Sequence, residues 1–246
     1  INIDGLLLVG PADPDEENRT ARVVVLAPIT VNGSDIPPAA PGEDDTAAMT
    51  FNVDRLILRN RLEVTAGDIR IDNAGRFAMD RAESAIELNG GNLDQVGEGN
   101  VVLGFEGDTL EINAVRASRL AFDGPITLAG DVSIRGGRLE FNGGINDDSA
   151  AARRALSLTS SRQTVITGDI GAVNPIGSLT TAGAGRTLLS ADLIAAGPMQ
   201  FSQRMELAGD SVIDARAGGL DGTIVFDSTI DDDGNSATSG DLVVLT

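Results

Sequence analysis

Leu120-Ala121-Phe122-Asp123-Gly124-Pro125-Ile126-Thr127-Leu128-Ala129-Gly130-Asp131-Val132-Ser133-Ile134 decides the fold class. Its large apolar residues Leu120, Phe122, Ile126, Leu128, Val132 and Ile134 all fall on even positions. Alternation with a period of two places one set of side chains on one face of an extended chain, whereas a helix would need a period near 3.6. Gly136-Gly137 shifts the phase, and Leu139 and Phe141 resume it on odd positions. Working outward, Leu62 and Val64 precede Ile69 and Ile71, Met205 and Leu207 precede Val212, and Ile224 alternates with Phe226. Each piece is short and bounded by Gly, Asn or Asp, which marks half-buried strands separated by turns. The 30 glycines supply those turns, because glycine accepts positive φ without strain. Ser149-Ala150-Ala151-Ala152-Arg153-Arg154 is the one helix-like string, and it reads as a surface excursion.

The strands repeat. Ala-Gly-Asp occurs at 66–68, 129–131 and 208–210, each time between two alternating segments. Arg61-Leu62-Glu63-Val64 resembles Arg204-Met205-Glu206-Leu207, and Pro125-Ile126-Thr127-Leu128 fits the same frame. Phe122 through Asp131 echoes Phe201 through Asp210, and Gly144-Ile145-Asn146-Asp147-Asp148 echoes Thr229-Ile230-Asp231-Asp232-Asp233. Self-similarity of this kind predicts an all-β parallel β-helix, a β-solenoid of stacked coils of about 20 residues with two or three strands each. One coil cannot cover its own apolar face, so coils must stack. All aromatic residues are Phe, at 3% of the chain, so the Trp or Tyr that centres many immunoglobulin-like sandwiches is missing. β-Sandwich modules are the alternative, since short strands with turns serve both. Residues 51–246 read as solenoid repeats. Residues 1–50 read as N-terminal strands (Leu6-Leu7-Leu8-Val9 and Val23-Val24-Val25-Leu26) with protruding loops, one acidic at 12–18 and one acidic and Pro-rich at 36–45.

Composition narrows function. Acidic residues outnumber basic ones 37 to 18, the net charge is −19, and every basic residue is Arg. Without His, Cys or Lys the chain lacks the usual general base, thiol nucleophile, Schiff-base lysine and P-loop. Zinc, haem and iron–sulfur ligation as ordinarily built are excluded too. Nucleic acid is not expected as a partner, because it needs a basic face. No run reaches the ~20 apolar residues of a membrane span. Ile1 with no basic-then-apolar leader reads as a mature form or an excerpt. The hydrated, Lys-free acidic surface points to an extracellular, bacterial or archaeal protein.

Thr167-Gly168-Asp169-Ile170-Gly171, Pro175-Ile176-Gly177-Ser178-Leu179-Thr180 and Ala182-Gly183-Ala184-Gly185 carry a family likeness. So does Leu139-Glu140-Phe141 followed by Gly144-Ile145-Asn146-Asp147-Asp148. These stretches resemble the beta strand repeat of filamentous-haemagglutinin-like and autotransporter-adhesin-like bacterial surface proteins. The resemblance covers roughly 119–246 and more loosely 51–118. It implies a right-handed parallel β-helix, secretion, a place at the cell surface and a role as adhesin or fibre, with no catalytic residues to carry over.

Asp231-Asp232-Asp233-Gly234-Asn235 is the densest acidic run. Its spacing makes Asp231, Asp233 and Asn235 candidate oxygen ligands for Ca²⁺, although the downstream Glu of a full EF-hand loop is missing. Calcium is the only cofactor suggested, and a solvated turn without an ion is the competing reading. Asp147-Asp148 occupies a similar place in the repeat. Gly183-Ala184-Gly185-Arg186-Thr187 reads as a turn, since no Lys follows it. Asn18-Arg19-Thr20 and Asn32-Gly33-Ser34 are glycosylation triplets. A β-helix polysaccharide-degrading enzyme would draw on Arg70, Arg116 or Arg135 with Asp-bound Ca²⁺, but catalysis is not expected in a chain this acidic and without sugar-stacking Trp or Tyr. The expectation is therefore a structural or adhesive extracellular repeat protein, either a segment of a cell-surface fibre or a filament subunit. Its expected partners are copies of itself, or a surface receptor or glycan. The alternative is a binding module that uses the acidic N-terminal loops.

Overall fold

The computed structural model describes residues 2–4, 7–9, 22–32, 49–114, 118–217, 219, 222–232, 234 and 240–246. The chain winds as a parallel β-solenoid with three faces, and no helix occurs among the described residues. The deciding stretch makes one full circuit. Leu120 and Phe122 lie on the second face, Ile126 and Leu128 on the third, Val132 and Ile134 on the first, and Leu139 and Phe141 return to the second. There Leu120 pairs with Leu139 and Phe122 with Phe141.

The ladders run in register through successive rungs. On the first face Ile29 pairs with Leu62, then Ile86, Ile112, Ile134, Leu158, Thr181, Phe201 and Phe226 follow in line. On the second, Phe51 leads to Ile71, Gln95, Phe122, Phe141, Ile166, Leu189 and Leu207. On the third, Val23 leads to Leu56, Phe77, Val101, Ile126 and Ile145. On the second face a rung takes 18 residues from Leu189 to Leu207 and 27 from Gln95 to Phe122. The paired stretch on this face stays short, Leu93–Gln95 in one rung and Arg204–Leu207 in another, so the connections between faces absorb the difference. The strands of residues 2–32 pair in the same ladders, Asn2–Asp4 against Ile29–Asn32 and Leu7–Val9 against Met49–Leu58. Of the N-terminal loops, 12–18 and 36–45 lie outside the described residues.

The interior is a stack of like on like. Phe122 and Phe141 are parallel, with centroids 5.8 Å apart. Such pairs add about 0.5–1.5 kcal/mol beyond their area burial. Gln95 interrupts the Phe and Ile column between Ile71 and Phe122 and is completely buried. It stays because its amide is satisfied: Nε2 donates to Asn73 Oδ1 at 3.0 Å, and Oε1 accepts from the Gly124 N–H at 2.9 Å.

The corners explain the repeated tripeptide. Ala66-Gly67-Asp68 turns the chain from the first face to the second, Ala129-Gly130-Asp131 from the third to the first, and Ala208-Gly209-Asp210 from the second to the third. The triplet marks a corner, not a fixed place in the rung. Each of these aspartates accepts a backbone N–H from the next rung: Asp68 from Asn92 at 2.7 Å, Asp131 from Ala155 at 2.8 Å and Asp210 from Asp241 at 2.9 Å. Asp169 does the same for Asp192 at 3.0 Å. Gly136-Gly137 is a bulge, where the N–H groups of Gly137 and Arg138 both donate to Ser118 O. The Ser149–Arg154 string is an excursion between Ile145–Asp147 and Ala155–Ile166, as expected.

Between the second and third faces, glycines stack on glycines. A Cβ on Gly124 would fall 2.5 Å from Gly99 O, one on Gly143 2.3 Å from Gly124 O, and one on Gly168 2.3 Å from Gly143 O. Rungs pass too closely there for any side chain. Gly143→Ala is expected to lower stability by about 2–3 kcal/mol, while Gly90→Ala, whose Cβ would sit 3.7 Å from its nearest neighbour, changes it by less than about 1 kcal/mol. Urea midpoints of the two variants check this. Asp68→Ala should cost about 1 kcal/mol for the lost inter-rung hydrogen bond, with Asp68→Asn recovering most of it.

Candidate functional site

The outer surface of the second face is organised by a simple pattern, Arg, apolar, Glu. In Arg138-Leu139-Glu140 and Arg204-Met205-Glu206 the middle residue is buried and the charged pair points outward. Stacking in register puts Arg119 beside Arg138, and Arg186 beside Arg204. Like charges directly opposite would repel. The carboxylates relieve this, because each lies two residues along and is reached from both rungs. Glu140 accepts from Arg119 Nε at 2.8 Å and is also held by Arg138. Arg119 reaches down to Asp94 as well. Glu206 is held by Arg186 at 2.6 Å and Arg204 at 3.2 Å, and Arg204 extends to Asp231 at 3.0 Å. On the first face Arg61 bridges Glu63 and Glu87.

Burial alone would raise the Glu140 carboxyl, but hydrogen bonds and charge from Arg119 and Arg138 outweigh it and hold the group below its ordinary value. The Arg119 guanidinium is raised, chiefly by its hydrogen bond to Glu140. Asp94 goes the other way: burial pushes it up, and neighbouring Asp68, Glu140 and Asp123 add to that, against the pull of Arg119. The columns therefore tie rungs together at modest strength, since the guanidinium partners are 40–52% exposed.

The structure divides the residues proposed for Ca²⁺. Asp231 lies exposed in Ile230–Asp232, where Oδ2 takes hydrogen bonds from Arg204 at 3.0 Å and Thr229 at 3.0 Å. Asp233 and Asn235 lie outside the described residues. Among the described residues no group of three or more acids is placed to hold a metal. Asp147 is buried and its carboxylate holds the excursion, accepting the Asp148 N–H at 2.8 Å and the Arg154 N–H at 2.6 Å. Burial raises its pKa despite those bonds. The 183–187 string forms the turn expected of it and leads into the strand of Arg186, which is occupied by Glu206. Arg70 and Arg135 lie on different faces, and Arg116 lies outside the described residues. The inter-rung columns are the feature that sequence reasoning missed. Their signal was the likeness of the Arg61 and Arg204 segments, legible as a repeat but not as stacked charge without the register.

The last described rung consists of Ile224–Phe226, Ile230–Asp232 and Leu242–Leu245. Each of these strands pairs with one neighbour only among the described residues. Phe226 stacks on Phe201 with centroids 5.2 Å apart. Ile230 is 37% exposed and Val244 41%, although both continue inward-facing columns that are otherwise fully buried. Among the described residues this edge offers unpaired backbone groups and a partly exposed apolar end, a template for a further rung.

No known protein family matches the chain, and no curated protein or solved structure is significantly similar to it. No helix among the described residues is long and apolar enough to cross a membrane.

The charge columns give a pH prediction. A group lowered in the folded state, such as Glu140, contributes stability above the ordinary carboxylate range and loses it as pH falls through the lowered value. Asp94 has the opposite sign and favours the folded state more as pH falls. Glu140→Gln should therefore cost about 1 kcal/mol at pH 7, and less below about pH 4. Urea unfolding from pH 7 to pH 3 measures the convergence of the two curves.

Proposed function

We propose that the protein is a structural or adhesive repeat element of an extracellular fibre, secreted and displayed at a cell surface. One observation carries this reading: parallel strands stack rung on rung along three faces, the third passing through single bridges at Ile170, and among the described residues the last rung pairs on one side only and leaves Ile230 and Val244 partly exposed. A rung added there, from the chain's own continuation or from a second copy, would extend hydrogen bonds and core columns alike. Work done on the rod is shared along the ladders, and the inter-rung bonds of Asp68, Asp131, Asp169 and Asp210 reinforce the corners. The net charge of −19 keeps neighbouring rods apart in solution. The likeness to haemagglutinin-like and adhesin-like repeats points the same way. In this reading the chain supplies length and surface instead of turnover.

Electron micrographs of the chain, and of two copies fused in tandem, test the proposal. The expected result is a straight rod whose length doubles in the fusion. Two flexibly jointed particles would overturn it, as would sugar release from a panel of acidic and neutral polysaccharides.

A further inference from the structure

A cleft of about 220 Å³ opens at the corner between the first and second faces, against the middle rungs. Arg135, Thr159, Ser160, Ser161 and Gly183 line it, and among the described residues no carboxylate does. That is unusual for a chain in which acids outnumber arginines two to one. Arg135 is exposed and makes no hydrogen bond or ion pair within the described residues, whereas Arg119, Arg138, Arg186 and Arg204 on the second face are committed to Glu140 or Glu206. The register puts Arg135 beside Thr159, so a guanidinium and a hydroxyl stand side by side on neighbouring rungs. Next to them, Ser133, Ser157 and Thr180 stand in line on the first face, with Glu111 on the far side of Ser133, one rung from Arg135.

The floor is rigid. Ser160 is fully buried, and its Oγ is held by Thr164 at 2.9 Å and by Gln203 Nε2 at 2.9 Å. Gln203 also donates to Ser160 O at 3.0 Å and accepts from Thr187 at 3.1 Å. A preformed floor means that a ligand does not have to order it, which lowers the cost of binding.

We infer that this cleft is a binding site for a carboxylate-bearing sugar residue. A planar guanidinium takes a carboxylate in two parallel hydrogen bonds. The Thr159 hydroxyl beside it can pair with a hydroxyl of the same ring. The volume is below the ~300 Å³ at which pockets for drug-sized ligands begin, so it accepts a single ring and not a buried chain. The overall negative charge does not forbid this, because at physiological salt it is screened beyond about 8 Å. The site does not depend on the fibre reading: a monomeric globule could carry it, and a fibre could lack it.

Glucuronate and glucose are the probes, titrated into the 246-residue protein and followed by NMR and calorimetry. Glucuronate is expected to saturate, with glucose binding at least about tenfold more weakly. Arg135→Gln should weaken glucuronate about tenfold or more without altering the urea midpoint. Arg81→Gln, an exposed turn arginine elsewhere, should leave binding unchanged. Absence of saturable glucuronate binding would overturn the inference, and so would equal binding by the Arg135→Gln protein or equal affinity for glucose.

Discussion

In-register stacking is the constraint on which everything else rests. A single rung places its apolar residues in a line that only the next rung can cover. Leu120 is buried because Leu93 lies on one side of it and Leu139 on the other. A slip of one residue would turn each strand inside out, since successive side chains point to opposite faces. The core is therefore built by equivalence between neighbours, one rung's apolar line against the next.

That constraint passes outward to the corners and the surface. Rungs can stack closely only where the corners admit it, which accounts for the glycine column from Gly99 to Gly168. The corner aspartates take up backbone N–H groups that the ladders leave free at the turns, as Asp192 does for Val212 at 2.9 Å. On the outside, the same register that aligns leucines also aligns arginines. A column of guanidiniums is tolerable only with carboxylates between them, and Glu140 and Glu206 serve both neighbours. At Ile224–Phe226 and Leu242–Leu245 the same principle applies from one side only among the described residues. The Arg135 cleft arises where Ser157 and Thr180 of the first face meet a corner at which no described acid pairs with the arginine.

Much of the fold was legible in the residues, because alternation is a local property. The even-numbered set from Leu120 to Ile134 follows from the chain alone, and the turn chemistry around it places the corners. The echo of Phe122 through Asp131 in Phe201 through Asp210 was also real, but its two halves lie on different faces, the second and the first. Repetition of strand, turn and strand is shorter than a rung, so likeness in sequence did not give the phase. Gln95 shows the same limit: it stands in an inward position of a strand, and only its bonds to Asn73 and Gly124 explain why.

The sequence by itself determined that the chain forms short strands with one buried face, that glycine and aspartate turn it, and that its chemistry lies in carboxylate, hydroxyl and guanidinium groups. Those properties depend on neighbours within a few residues. Only the tertiary structure decided which residues share a column: Arg119 with Glu140 and Asp94, Asp68 with Asn92, Arg135 with Thr159. The partners in these pairs stand about one rung apart, and rung length is set by turns whose lengths vary, so no fixed spacing in the sequence announces them.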